Sequence, residues 1–180
     1  MKTTQLANGF ATRIEDIDLS KPLDDDSFET IRDLWMENRI VVFPEQQLDD
    51  DQLVAFTERF GPLFVHAQAS LLTTYKRKEV MELSNLDGVA RPVEYELDWH
   101  TDQTYTPQPV FATILYGIVA PKEGGQTLFS DLVGSYASMN DDMKKKVDGV
   151  SAVYSAEPRP KARETPLTEE EKARILDCAH

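Results

Sequence analysis

The segment that most constrains how this chain folds is Val110 to Val119, which reads Val-Phe-Ala-Thr-Ile-Leu-Tyr-Gly-Ile-Val and is almost wholly apolar. Periodicity alone leaves a helix open for such a run, but its β-branched and aromatic content favours a central strand. Pro121 and Gly124-Gly125 then mark a turn, and Gln126-Thr127-Leu128-Phe129 reads as the returning strand. Shorter strands are expected at Leu63–His66, Val80–Leu83 and Val150–Tyr154.

The chain upstream of these strands reads as helical. Acidic Asp24, Asp25 and Asp26 suit a helix N-terminus, and Phe28, Ile31 and Trp35 follow at helical spacing. That helix gives way to a short buried strand, Ile40-Val41-Val42-Phe43, closed by Pro44. A second helix is expected from Asp49 to Phe60, with Leu53, Phe56 and Phe60 on one face and Gly61-Pro62 as its stop. A third is expected around Ser135 to Val147. Beyond Tyr154 the chain turns polar and proline-rich, so 157–180 reads as a loop or lid, with Thr168 and Glu171 in a capping-box pattern before a short helix. Helices first, then strands, suggest one α+β domain over 1–180: a β-sandwich or jelly-roll with helical buttresses.

Composition narrows the partners. With 19 basic against 32 acidic residues the net charge is −13, which disfavours nucleic acid and anionic lipid. No apolar run approaches the roughly 20 residues that span a bilayer, and the first residues lack a secretory h-region. The single cysteine, Cys178, allows no intrachain disulfide, so a reducing cytoplasm is the simplest location. The clusters Asp24–Asp26 and Asp49–Asp51 lack the spacing of a calcium loop and read as solvated helix starts.

Chemistry concentrates at Trp99-His100-Thr101-Asp102. Residues two apart on an extended backbone point to one side, so His100 and Asp102 can offer an imidazole nitrogen and a carboxylate oxygen to one point. Those are two members of the two-histidine, one-carboxylate triad that holds non-haem Fe(II) with positions left open. A surface His and Asp at a strand end is the plainer alternative.

The segment Leu97-Asp98-Trp99-His100-Thr101-Asp102-Gln103-Thr104-Tyr105 resembles the Trp-His-x-Asp segment of the taurine/2,4-dichlorophenoxyacetate dioxygenase family, the Fe(II)- and 2-oxoglutarate-dependent dioxygenases. Gly124-Gly125-Gln126-Thr127 is similar to that family's Gly-Gly-x-Thr segment. Upstream, Ile17-Asp18-Leu19-Ser20-Lys21-Pro22-Leu23, Val41-Val42-Phe43 and Arg59-Phe60-Gly61-Pro62-Leu63 are similar to its N-terminal region. The blocks fall in family order and cover most of residues 9–155.

The resemblance implies a double-stranded β-helix (jelly-roll, cupin-like) core with N-terminal helices, stopped before its final strands. It makes His100 and Asp102 metal ligands for Fe(II), and Thr127 a 2-oxoglutarate-binding residue through its hydroxyl. His66 falls at a substrate-side position, where a structural histidine is the alternative. Trp99, Tyr105, Phe111 and Tyr116 belong to the core or the pocket wall. With O2, such an enzyme converts 2-oxoglutarate to succinate and CO2 while hydroxylating a small organic acid, a sulfonate or an aryloxyalkanoate. The family also needs a distal histidine and, after it, an arginine. Only His66, His100 and His180 are present, and His180 lies too close to Asp102 to fill the distal place. The chain is therefore expected to be a fragment, with exposed strand edges that favour a homo-oligomer or another partner. Two other readings stay open: a catalytically inactive interaction module, and a cupin-type metal enzyme that does not use 2-oxoglutarate.

Overall fold

The computed structural model describes residues 1–6, 9–65, 77–83 and 99–154. The chain divides into two compact units, Met1–Gln47 with Ile114–Ala152, and Leu48–Thr113 with Val153–His180. It passes between them three times, so they are not successive domains joined by one linker.

The first unit is built on a three-stranded sheet in the order β1-β2-β3. Strand β1 (Lys2–Gln5) pairs antiparallel with β2 (Ala11–Glu15), from Lys2 opposite Glu15 to Gln5 opposite Thr12. Helix α1 (Asp25–Asn38) then crosses over to β3 (Ile40–Val42), which lies parallel to β2 with Ala11 opposite Ile40. Asp24 caps α1 by accepting a hydrogen bond from the Ser27 amide at 2.8 Å, and Asp25 and Asp26 fill the positive first turn. The helix buries Phe28 and Ile31, while Ala11, Ile14 and Leu19 complete the apolar centre; Ile14 and Ile31 are fully enclosed.

Two amides tie this unit together. Buried Asn38 donates to the Leu34 carbonyl at 2.8 Å and accepts from Gln5 Nε2 at 3.1 Å, so its polar head is satisfied where an unpaired one would be costly. Gln46 Oε1 accepts from the Leu19 amide at 2.8 Å, and its Nε2 donates to the Ile17 and Pro44 carbonyls, both at 3.0 Å. Tyr116 donates to the Gln46 carbonyl at 3.3 Å.

The turn at Asp18–Lys21 is held by the Asp18 carboxylate, which accepts from the Ser20 amide at 3.0 Å and pairs with Lys21 Nζ at 2.7 Å. The Lys21 ammonium and the Ser20 hydroxyl and amide stabilise the charged form, lowering the Asp18 pKa to about 2. A depressed carboxylate contributes stability above its unfolded pKa and loses it as pH falls through the folded one. The contribution of this turn should therefore fade between about pH 4 and the folded value. A carboxyl carbon titration by NMR should find the low midpoint in the native chain, and Lys21→Ala should return it toward the ordinary aspartate range.

In the second unit α2 (Asp50–Glu58) begins with a full capping box: Asp49 Oδ1 accepts from the Gln52 amide and Gln52 Oε1 accepts from the Asp49 amide, both at 2.8 Å. Val54 and Phe56 are its buried residues, and Phe56 meets Phe60 edge-to-face at 5.5 Å. The helix ends two residues earlier than the expected Phe60.

Several expectations change here. The helix expected at Ser135–Val147 is two helices, α3 (Leu132–Ser138) and α4 (Asp141–Val147), because Asn140 accepts from the Met143 amide at 2.9 Å and starts a new helix. Strand β3 is half-buried to exposed, not buried. Among the described residues, Val80–Leu83, Val110–Val119, Gln126–Phe129 and Val150–Tyr154 join no ladder, nor do the described residues 63–65. A strand is a property of a pair, and composition shows only that a segment suits one. Residues 111 to 116 keep the strand-like alternation of exposed and half-buried positions without such a partner. Gly124 and Gly125 do form the expected turn: their φ values are 76° and 67°, and a Cβ on Gly125 would stand 2.9 Å from Pro121 Cγ.

Candidate metal centre

His100 and Asp102 lie in the second unit, just before a turn. Gln103 adopts a left-handed φ of 54°, and the buried Thr106 closes the turn by donating from its amide to the Gln103 carbonyl at 3.1 Å. The Thr106 hydroxyl reinforces it at 2.8 Å from the same carbonyl. This fixes the backbone directly after the His-x-Asp pair.

The two side chains converge. His100 Nε2 lies 3.2 Å from Asp102 Oδ1, and both side chains are about half exposed. Two donors at roughly 2.1 Å from one ion and at right angles to each other stand about 3 Å apart, so the separation suits neighbouring positions around a metal. Without a metal, the same approach is that of a hydrogen bond from a protonated imidazole nitrogen to a carboxylate.

Thr113 holds the carboxylate in either description. Its hydroxyl donates to Asp102 Oδ2 at 2.8 Å, occupying the oxygen that faces away from His100 and leaving Oδ1 to meet the imidazole. Metal-ligating carboxylates are held in this way by a hydrogen bond to their outer oxygen. Sequence reasoning passed over Thr113 as part of an apolar run; the signal was an aliphatic hydroxyl in that run. Among the described residues no group of three or more His, Cys, Asp or Glu side chains gathers as a metal cage. The donor set thus fits Fe(II) through a nitrogen and an oxygen and lacks a third member there.

Thr127 is exposed and belongs to the first unit, between the Gly124-Gly125 turn and α3. His66, His180, Cys178 and the expected lid at 157–180 lie outside the described residues. Trp99 and Phe111 are largely exposed and Tyr105 is partly so, which places none of the three in a core; Tyr116 is half-buried.

The family model described as "Taurine catabolism dioxygenase TauD, TfdA family" matches residues 2–177. The chain is 31% identical over 133 residues to the (S)-phenoxypropionate/alpha-ketoglutarate-dioxygenase of Sphingobium herbicidovorans, a match covering 74% of this chain and 46% of that protein. It is 31% identical over 160 residues to the alpha-ketoglutarate-dependent 2,4-dichlorophenoxyacetate dioxygenase of Cupriavidus pinatubonensis, covering 82% and 55%. A crystal structure of a taurine dioxygenase from Burkholderia xenovorans superposes with a TM-score of 0.63 at 27% identity, over 82% of this chain and 51% of that one. With the family model matching residues 2–177 of its 180, the chain belongs to the TauD/TfdA dioxygenase family. It spans about half the length of the curated relatives it matches.

Proposed function

We propose that this chain is the N-terminal part of an Fe(II)- and 2-oxoglutarate-dependent dioxygenase that hydroxylates a small organic acid. The convergence of His100 Nε2 and Asp102 Oδ1 at 3.2 Å carries this reading. His100 and Asp102 would hold the iron, with Thr113 orienting the carboxylate so that a single oxygen faces the ion. Thr127 would donate a hydrogen bond to the distal carboxylate of 2-oxoglutarate, a charge-assisted contact. His66 would stand on the substrate side. The bound metal supplies activation of O2 coupled to conversion of 2-oxoglutarate to succinate and CO2.

The third iron ligand, a histidine, and the arginine for 2-oxoglutarate belong in this reading to sequence beyond His180. The relatives are about twice the length the match covers, which supports it. So does the exposure of Leu115, Ile118, Val119, Leu128 and Phe129, a set of large apolar side chains of the kind that later jelly-roll strands cover. The whole would form one domain with 157–180 as a lid, in the cytoplasm. Among the described residues no helix is long and apolar enough to cross a membrane.

Anaerobic titration of the complete protein with Fe(II) and 2-oxoglutarate tests the reading. Thr127→Ala is expected to weaken 2-oxoglutarate binding about tenfold, the loss of one charge-assisted hydrogen bond, with iron binding intact. Iron binding that needs His100 but ignores 2-oxoglutarate would favour a cupin-type enzyme of other chemistry. No iron binding at all would favour an interaction module.

A further inference from the structure

Arg39 occupies an unusual position. It follows α1 at the C-cap with a left-handed φ of 66°, where glycine or asparagine is the usual choice, and its amide donates to the Trp35 carbonyl. A long side chain accepts that steric cost where its head is needed elsewhere. The head of Arg39 is heavily engaged. Nη1 donates to the Glu37 carbonyl at 2.9 Å, Nη2 donates to the Gly9 carbonyl at 3.4 Å, and the guanidinium sits 6.0 Å from the Phe10 ring centre.

The remaining contact joins distant parts of the chain. Nη2 donates to Asp131 Oδ2 at 3.3 Å, and Nε lies 3.2 Å from Asp131 Oδ1, although that second approach lacks hydrogen-bond alignment. Asp131 precedes α3 at the position where an aspartate ordinarily caps the helix, yet its side chain makes no capping bond. The carboxylate turns to Arg39 instead. Gly134 makes room for it, since a Cβ there would collide with the Asp131 carboxylate.

We propose that Arg39 is a positioning residue for the co-substrate segment: through Asp131 it holds the stretch from Gln126 to Asp131 and thereby sets where Thr127 stands. Among the described residues no strand pairing secures that stretch. The Asp131 carboxylate is its anchor four residues after Thr127, and Gly134 is the third part of the device. The inference rests on the co-substrate role given to Thr127 above.

Two readouts test it in the complete protein: 2-oxoglutarate affinity of the iron-loaded form, measured well below the melting temperature, and the NMR signal of the Thr127 methyl group in the metal-free form. Arg39→Ala, Asp131→Ala and Gly134→Ala should each shift the methyl signal and weaken 2-oxoglutarate about tenfold. The Arg39→Ala/Asp131→Ala double variant should be no worse than either single, because members of one contact are not additive. Arg39→Lys, which keeps the charge but not the fork, should be intermediate. Lower melting temperatures with methyl signal and affinity unchanged would overturn the proposal, as would singles whose effects multiply in the double. Should Thr127→Ala leave the affinity unchanged, the co-substrate role of Thr127 fails, and the methyl signal alone then decides whether Arg39 positions the segment.

Discussion

Asp102→Ala is expected to lower Fe(II) affinity more than 100-fold and to abolish 2-oxoglutarate turnover by the complete protein. The variant removes Oδ1, which stands 3.2 Å from His100 Nε2, and leaves one converged donor in place of two. His100→Ala should match it. Thr113→Val provides the graded case: it keeps the β-branched shape and removes only the hydroxyl that donates to Asp102 Oδ2 at 2.8 Å. Loss of such an outer hydrogen bond typically costs about 10–100-fold in metal affinity. Isothermal titration under argon, with circular dichroism to verify folding, checks all three. Equal affinities for Thr113→Val and the unaltered protein would show that the carboxylate needs no outer partner, and Thr113 would lose its orienting role; unchanged Fe(II) affinity in Asp102→Ala and His100→Ala would overturn the metal reading.

The second large effect is on stability. Ile31→Ala should destabilise the first unit by about 2–5 kcal/mol, because the side chain is fully enclosed and its removal leaves a cavity between α1 and the sheet. At roughly 2–4 °C per kcal/mol for a chain of this size, melting should fall by about 10 °C. Met36→Ala on the same helix provides the control. Met36 is 56% exposed, and its replacement should stay within about 0.5 kcal/mol. Similar melting shifts for both variants would contradict the burial pattern given for α1.

These two predictions draw on features of unequal visibility in the sequence. Helices α1 and α2 were legible because capping aspartates and apolar spacing agree along the same stretch, as Asp24 with Phe28 and Ile31 shows. Strands β1 and β2 escaped notice: Lys2–Gln5 is polar and exposed, and Thr12, a buried hydroxyl, blurs the alternation of Ala11–Glu15. The break between α3 and α4 was carried by Asn140, a cap signal inside what read as one helix. The His100–Asp102 pair could be foreseen because its members are two residues apart. Thr113 and Arg39 could not, since their partners lie 11 and 92 residues away and only folding brings them together.

That last separation bears on how the protein is made. The first unit draws on Met1–Gln47 and on Ile114–Ala152, with the whole Leu48–Thr113 segment synthesised in between. At the ribosome's usual pace, roughly 5–20 residues per second, Arg39 waits about 5–20 s before Asp131 even exists. During that interval β1, β2, α1 and β3 have only their contacts with one another, and closing so long a loop carries an entropic penalty. The N-terminal sheet and α1 can therefore pair before Asp131 exists, and only the Arg39–Asp131 tie is a late event in the life of the nascent chain.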